Sequence, residues 1–307
     1  MKKFAKVIAG IAAPLFLIGG VLTGIGWYMG ADTHIEVPVG KEHIRVGWDG
    51  IRFSGWNSME EVASVEKNME LEPFTRLEVN LSAGNVTVTT GETYGMRLRD
   101  GSVELKYALE DGVLKVWDDR PAGVLSTQKG GSVEIFLPDG AALTDADIAS
   151  SLGSLTLDGL RADNLTATAD LGEVNGSELR VDSAVLTLNC GSLSLTGIEA
   201  GELEAELAMG NMTATGMAVA DRLTVTGSTG SFSLEGELGE KVSVTADLGD
   251  ISVKPAREEQ WYEYGLSTDL GQVMVNGRSL GTSFSQDGER GSMELSSGMG
   301  DVSVQFP

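Results

Sequence analysis

Apolar and polar residues alternate along most of this chain, and the alternation is reset at glycines that recur at a nearly fixed interval. The repeated phrase is x-Gly-polar-apolar-polar-apolar, first clear at Leu152-Gly153-Ser154-Leu155-Thr156-Leu157. It returns around Gly172, Gly191, Gly210, Gly230, Gly249, Gly271 and Gly300, at spacings of 19, 19, 19, 20, 19, 22 and 29 residues. Seven residues before successive glycines stand Leu165, Ala184, Leu203, Leu223, Val242, Tyr264 and Met293. Five before stand Ala167, Leu186, Ala205, Val225, Val244, Leu266 and Leu295, and two after stand Val174, Leu193, Met212, Phe232, Ile251, Val273 and Val302. The columns between are polar, as at Thr168, Thr187 and Thr226, or Asp170, Asn189 and Asp247. Period-two alternation is the signature of strands with one buried face. The column just before the glycine, with Leu171, Cys190, Met209, Leu248, Leu270 and Met299, is also mostly apolar and reads as inward. Cys190 then reads as a small core residue. The glycine marks a corner that needs an unusual backbone.

Each unit therefore reads as strand, glycine corner, short strand, turn. Such a unit cannot bury its face alone, but units stacked in parallel share one continuous core. The predicted fold is all-β: a single-stack parallel β-solenoid, or β-helix, of coils of about 19 residues. Roughly eight coils at about 4.8 Å each give a rod about 40 Å long. Earlier copies precede Gly153 (Ala146, Ile148, Ser150, Leu152) and Gly84 (Leu77, Val79, Leu81, Ala83). Between those glycines the runs Met96–Arg99, Val103–Leu109, Val113–Trp117 and Val133–Leu137, with turns at Asp100-Gly101 and Asp111-Gly112, predict hairpins that cap the stack.

Residues 4–29 are apolar apart from Lys6, and no further charge appears before Asp32. That is long enough to span a bilayer. Lys2, Lys3 and Lys6 before it, and Trp27 and Tyr28 at its end, predict a single-pass helix with a cytoplasmic N-terminus and the rest of the chain outside. A cleaved signal peptide is the competing reading, but no A-x-A site follows. The expected organisation is a membrane anchor over 1–31, a juxtamembrane stalk over 32–70 and the solenoid over 71–307. The stalk holds both histidines, His34 and His43, and Trp48, Phe53 and Trp56. Asn57-Ser58 followed by Glu60-Glu61 predicts a short helix over about 58–69.

The stretch Leu71–Pro307 resembles the bacterial putative-adhesin family, a domain of unknown function built from β-strand repeats. The resemblance lies in 74–86 (FTRLEVNLSAGNV), in 131–138 (GSVEIFLP) and in the repeated Gly-x-apolar phrase. It implies an envelope protein with an N-terminal anchor, and it supplies no catalytic residues.

The formal charge is −23. Without the three lysines flanking the anchor, 22 − 3 = 19 positive residues face 45 negative ones, or −26 outside the membrane. A basic footprint for nucleic acid is absent. One cysteine permits no internal disulfide. With both histidines near the membrane, neither a Ser-His-Asp triad nor a zinc site is expected, and no catalytic residue, cofactor or firm metal site is assigned. Calcium is the remaining candidate ion. Asp170 with Glu173, and Asp247 with Asp250, flank glycine corners, but Ca²⁺ needs six to eight oxygens. Two insertions, Lys254–Glu263 and Asn276–Gly291, interrupt the rhythm and supply the partner-binding candidates Trp261, Tyr262, Arg278, Phe284 and Arg290. The last strand, ending at Pro307, reads as an open edge suited to pairing with a partner or a second copy.

These features predict a membrane-anchored, non-catalytic binding or adhesion module of the cell envelope, with an envelope protein or glycan as partner. The alternatives are an accessory or sensory subunit of an envelope-stress or membrane regulatory system, and a glycan-active β-helix enzyme. The short coils leave the enzyme little room for a groove.

Overall fold

The computed structural model describes residues 35–39, 42–47, 50–54, 66–101, 104–119 and 130–307. The chain divides into two units, Met1–Val62 and Ala63–Pro307. The predicted membrane anchor lies outside the described residues, and among those described no helix is long and apolar enough to cross a membrane. In the first unit, Ile35–Val39, Glu42–Gly47 and Gly50–Ser54 form a three-stranded antiparallel sheet. Its register sets Ile35 opposite Val46, Val37 opposite Ile44 and Ile44 opposite Phe53.

The second unit is all-β, a 22-stranded sheet wound around one core. In its middle, neighbouring repeats pair in parallel with each residue beside the one nineteen further on: Leu165 with Ala184, Gly172 with Gly191, Val174 with Leu193. The next repeat continues the columns with Leu203 beside Ala184. Inward residues in one repeat are Leu165, Ala167 and Ala169 before the corner and Val174 after it, all buried. Leu160, Leu179, Ile198 and Met217 form a further buried row after the turns. Each leucine enclosed this way contributes roughly 1.5–3 kcal/mol, so the ladder of identical rows carries most of the stability.

The corner depends on glycine. At Gly191 φ is +155°, and a Cβ would lie 1.6 Å from the carbonyl oxygen of Gly172 in the preceding repeat. No side chain fits there, so corners stack backbone on backbone. The same geometry corrects the predicted column before the glycine. With no room inside the corner, the residues from two before the glycine to one after it stay outside the core at every corner from Gly153 to Gly300. Leu171, Met209, Leu248, Leu270 and Met299 are exposed, and Cys190 is half-buried rather than a core residue. The inward position is instead three before the glycine, at Ala169, Leu188, Leu207 and Ala246.

Stack order departs from chain order at both ends. Arg76–Leu81 lies between Val113–Asp118 and Leu143–Leu152. Gly84–Gly91 lies between Gly131–Pro138 and Leu155–Asp158, with Gly131 beside Gly84. The first repeat is thus covered by strands that follow it in sequence. At the other end, Gly291–Met299 lies between Lys241–Leu248 and Tyr262–Leu270. Val302–Val304 lies between Ile251–Pro255 and Val273–Val275. The chain passes over a slot, builds 262–275 beyond it, then returns to fill it with 291–304. The last strand, predicted to be an open edge, is therefore paired on both sides.

Short antiparallel strands close the stack. Leu105–Glu110 covers Val113–Asp118, and Gly95–Arg99 followed by Glu66–Glu70 covers Gly131–Pro138. Ser283–Gln286 covers Tyr262–Leu270, and Arg278–Ser279 covers Val273–Val275. Short, charged outer strands discourage edge-to-edge association. Where a helix over 58–69 was expected, residues 66–70 form one of these strands; 58–65 lie outside the described residues. Cross-strand partners override local propensity there: Met69 sits opposite Met96, and Glu66 pairs with Arg97 at 3.5 Å and Arg99 at 3.2 Å.

Candidate functional site

The sequence candidates of the two insertions gather at the C-terminal end of the stack. Trp261 ends a 3₁₀ turn, Glu259–Trp261, and is only partly buried. The guanidinium of Arg257 stands 4.7 Å from its ring centroid and that of Arg290 stands 5.1 Å away. Arg257 also donates to Glu237 at 3.1 Å, which ties this cluster to a repeat below. Two cations thus meet one indole from within the chain, each contact worth about 0.5–1 kcal/mol at an exposed site.

Tyr262 is buried, and its hydroxyl donates to the Gly239 carbonyl at 3.1 Å. Burial pushes its pKa up to about 12, with Arg257 opposing and Glu237 adding to the rise. Tyr264 is buried beside it and donates to Glu259 at 2.7 Å. Burial first, and then that carboxylate, push the Tyr264 phenol up as well. Its ring meets Phe306 at 5.4 Å and Phe284 at 6.0 Å between centroids. Phe284 is partly buried, and Arg278 and Arg290 are exposed. The structure thus brings Trp261 and Arg290 together, places Tyr262 and Phe284 on the core, and leaves Arg278 on a separate short strand.

The candidate calcium carboxylates Asp170, Glu173, Asp247 and Asp250 sit on the outside of the corners. Asp170 accepts a hydrogen bond from Asn189 of the adjoining repeat at 2.7 Å, and Asp250 accepts from the backbone N–H of Asp301 at 2.8 Å. Among the described residues no group of three or more His, Cys, Asp or Glu side chains is arranged to hold a metal ion.

A groove of about 590 Å³ runs across several repeats, lined by the buried Ala162, Val181, Ala200 and Val219 and by the exposed Ala218. Arg161, Asp163 and Asp182 line it, and Arg180 bridges to Glu199 at 3.3 Å. The sequence reading missed this groove. Its trace is the alanine-rich stretch after each turn, which does not stand out in a chain rich in small residues. The second unit contains no histidine. Its outward positions include hydroxyls, carboxylates and amides, as at Thr187, Asp170 and Asn189.

Solved structures similar to the chain include a putative adhesin of Bacteroides fragilis, at 14% identity and a TM-score of 0.38, covering 79% of this chain and 96% of that one. A putative lipid binding protein of Parabacteroides distasonis shares 13% identity with a TM-score of 0.45, over 79% and 96%. A putative cell adhesion protein of Clostridium sporogenes shares 13% with a TM-score of 0.29, over 80% and 100%. No curated protein matches the chain. Residues 21–305, which include the glycine-corner repeats, match the profile of one family of bacterial domains, and the chain belongs to that family, Toastrack DUF4097.

Proposed function

We propose that this chain is a non-catalytic binding module of the cell envelope, a rigid single-stack β-solenoid held at the outer face of the cell membrane by residues 1–31. The carrying observation is the parallel register of the repeats, which lines like positions of successive repeats into long rows. Such rows present one side-chain type many times over along a stiff surface, which suits the recognition of an extended partner. Membership in a family with structural neighbours named as adhesins supports the same reading. The family motifs are positions of backbone geometry, so the binding chemistry belongs to the outward residues of this chain.

The test is capture from intact envelopes with the full chain, tagged at its C-terminus and cross-linked before extraction, with and without calcium. Recovery of a defined envelope protein or glycan is the expected result. Recovery of nothing above an untagged control, at either calcium level, would overturn the binding-module reading.

A further inference from the structure

Among the described residues of the second unit, every exposed large apolar side chain except Tyr107 belongs to one line. Leu171, Met209, Leu248, Met299 and Leu270 are between 39% and 65% exposed, and each immediately precedes a corner glycine. Strand register places them in one line: Leu152 beside Leu171, then Cys190, Met209, Thr229, Leu248, Met299 and Leu270. At about 4.8 Å per strand, the line runs roughly 34 Å. Single exposed apolar residues are ordinary, but a contiguous line calls for a cause. The corner itself does not demand one, because Thr229 occupies the same place with no break in the ladder.

Charge on either side of this ridge has one sign. Asp170, Glu173, Asp247, Asp250, Asp269 and Asp301 flank it at two before or one after the glycine. From six residues before each glycine to three after it, the repeats between 143 and 304 contain no lysine or arginine. An anionic lipid surface and a second copy of this acidic chain would both be repelled by those flanks. The ridge is one residue wide and repeats at about 4.8 Å. An α-helix presents an apolar stripe that repeats at about 5.4 Å per turn, a near match over several rungs, whereas same-face residues of an extended strand recur at about 6.8 Å.

We propose that this ridge docks a cationic amphipathic helix of a protein partner, about 20 residues long, with its apolar stripe on the leucine–methionine line and its Lys and Arg side chains on the flanking carboxylates. This deepens the binding-module reading and rests on it.

Cys190, the chain's only cysteine, stands half-exposed in the ridge and reports its occupancy directly. The full chain in maltoside micelles is alkylated with iodoacetamide in the presence of a Leu/Lys model helix of about 20 residues. Alkylation of Cys190 is expected to slow about tenfold, equivalent to about 1.4 kcal/mol of occlusion. A Leu/Glu helix of equal length should leave it unchanged. The double variant Met209→Ser and Leu248→Ser changes only exposed side chains and should lose the protection while keeping its unfolding midpoint. Several results would overturn the proposal: no protection by the Leu/Lys helix, protection retained in the double variant, equal protection by phosphatidylglycerol vesicles, or protection that grows with protein concentration alone. If envelope capture succeeds while Cys190 stays reactive, the module stands and the ridge is not its site. Protection without envelope capture would separate the two in the opposite sense.

Discussion

The middle of the stack and its two ends are built from the same repeat but closed by different chemistry. Between Phe136 and Phe232 the chain contains no aromatic residue, and its core rows there are Leu, Ala, Val, Ile and Met. Every middle repeat is roofed by another like itself, so small and branched side chains fill the shared core. At the ends there is no next repeat, and large rings take its place. Phe74 packs edge-on against Tyr94 at 5.2 Å, and Tyr264 packs on Phe306 at 5.4 Å. The buried polar side chains among the described residues are Ser150, Thr268 and Ser297, and all three stand where the stack departs from chain order. Their hydroxyls donate at 2.8 Å to the corner carbonyls of Gly84, Gly300 and Gly249 respectively. The equivalent positions in the middle are Ala169, Leu188, Leu207 and Ala246. A buried hydroxyl must find its acceptor, so these three act as registration pegs for the repeats inserted out of turn.

The largest contrast should come from the corners of the middle. Gly191→Ala places a methyl 1.6 Å from a backbone oxygen at a φ of +155°, with no side chain able to yield. We expect a loss of more than about 4 kcal/mol in urea unfolding, or no folded protein. Gly140→Ala is the control, since nothing lies within 4 Å of its added carbon, and it should cost only about 1 kcal/mol. Equal losses in the two variants would mean that the corners do not carry the stack.

At the ends the pegs should matter less in energy but more in locality. Ser297→Ala leaves the Gly249 carbonyl without its side-chain donor and should cost about 1–2 kcal/mol. Amide exchange should accelerate in 262–304 and remain unchanged in 161–219. Uniform acceleration along the whole stack would remove the distinction between ends and middle.

The smallest effect is set by pH. Tyr262 and Tyr264 lose their protons near pH 10 in an unfolded chain, but the folded Tyr262 holds its own until about 12. Between those values the unfolded state binds fewer protons than the folded one, so stability is intact below about pH 10 and falls as pH rises toward 12. The middle of the stack has no tyrosine. Alkaline loosening should therefore start at the 262–275 end, read as delayed phenolate absorbance that Tyr262→Phe partly removes. Phenolate absorbance that develops fully near pH 10 would show those rings to be exposed.

Much of the fold is legible in the sequence, because a repeat that reuses the same inward columns announces both its strands and their parallel stacking. Two features were not. Alternation distinguishes one side of a strand from the other, but it does not say which side an apolar row takes at a corner, so Leu171, Cys190 and Met209 read as core. Aligned columns also say that repeats stack without saying in what order. Leu295 fits beside Val244 as well as beside Leu266, and it lies beside both. The only trace of the inversion is the lengthened spacing at Gly271 and Gly300, which reads as surface insertion. Of the candidate site, the sequence located the aromatic insertion. It had no means of separating Trp261, in contact with two arginines, from Tyr262, turned into the core.

The inverted order at the two ends also bears on how such a protein grows over generations. A simple repeat array lengthens by duplication at either end. Here a copy appended after Val304 would meet a slot already filled and a roof already in place. A copy inserted among the like-sized repeats from 153 to 249 would meet matching neighbours on both sides and extend the rod by about 4.8 Å. Kin of this chain should therefore differ in length from the inside out, with their first and last repeats kept as fixed bookends.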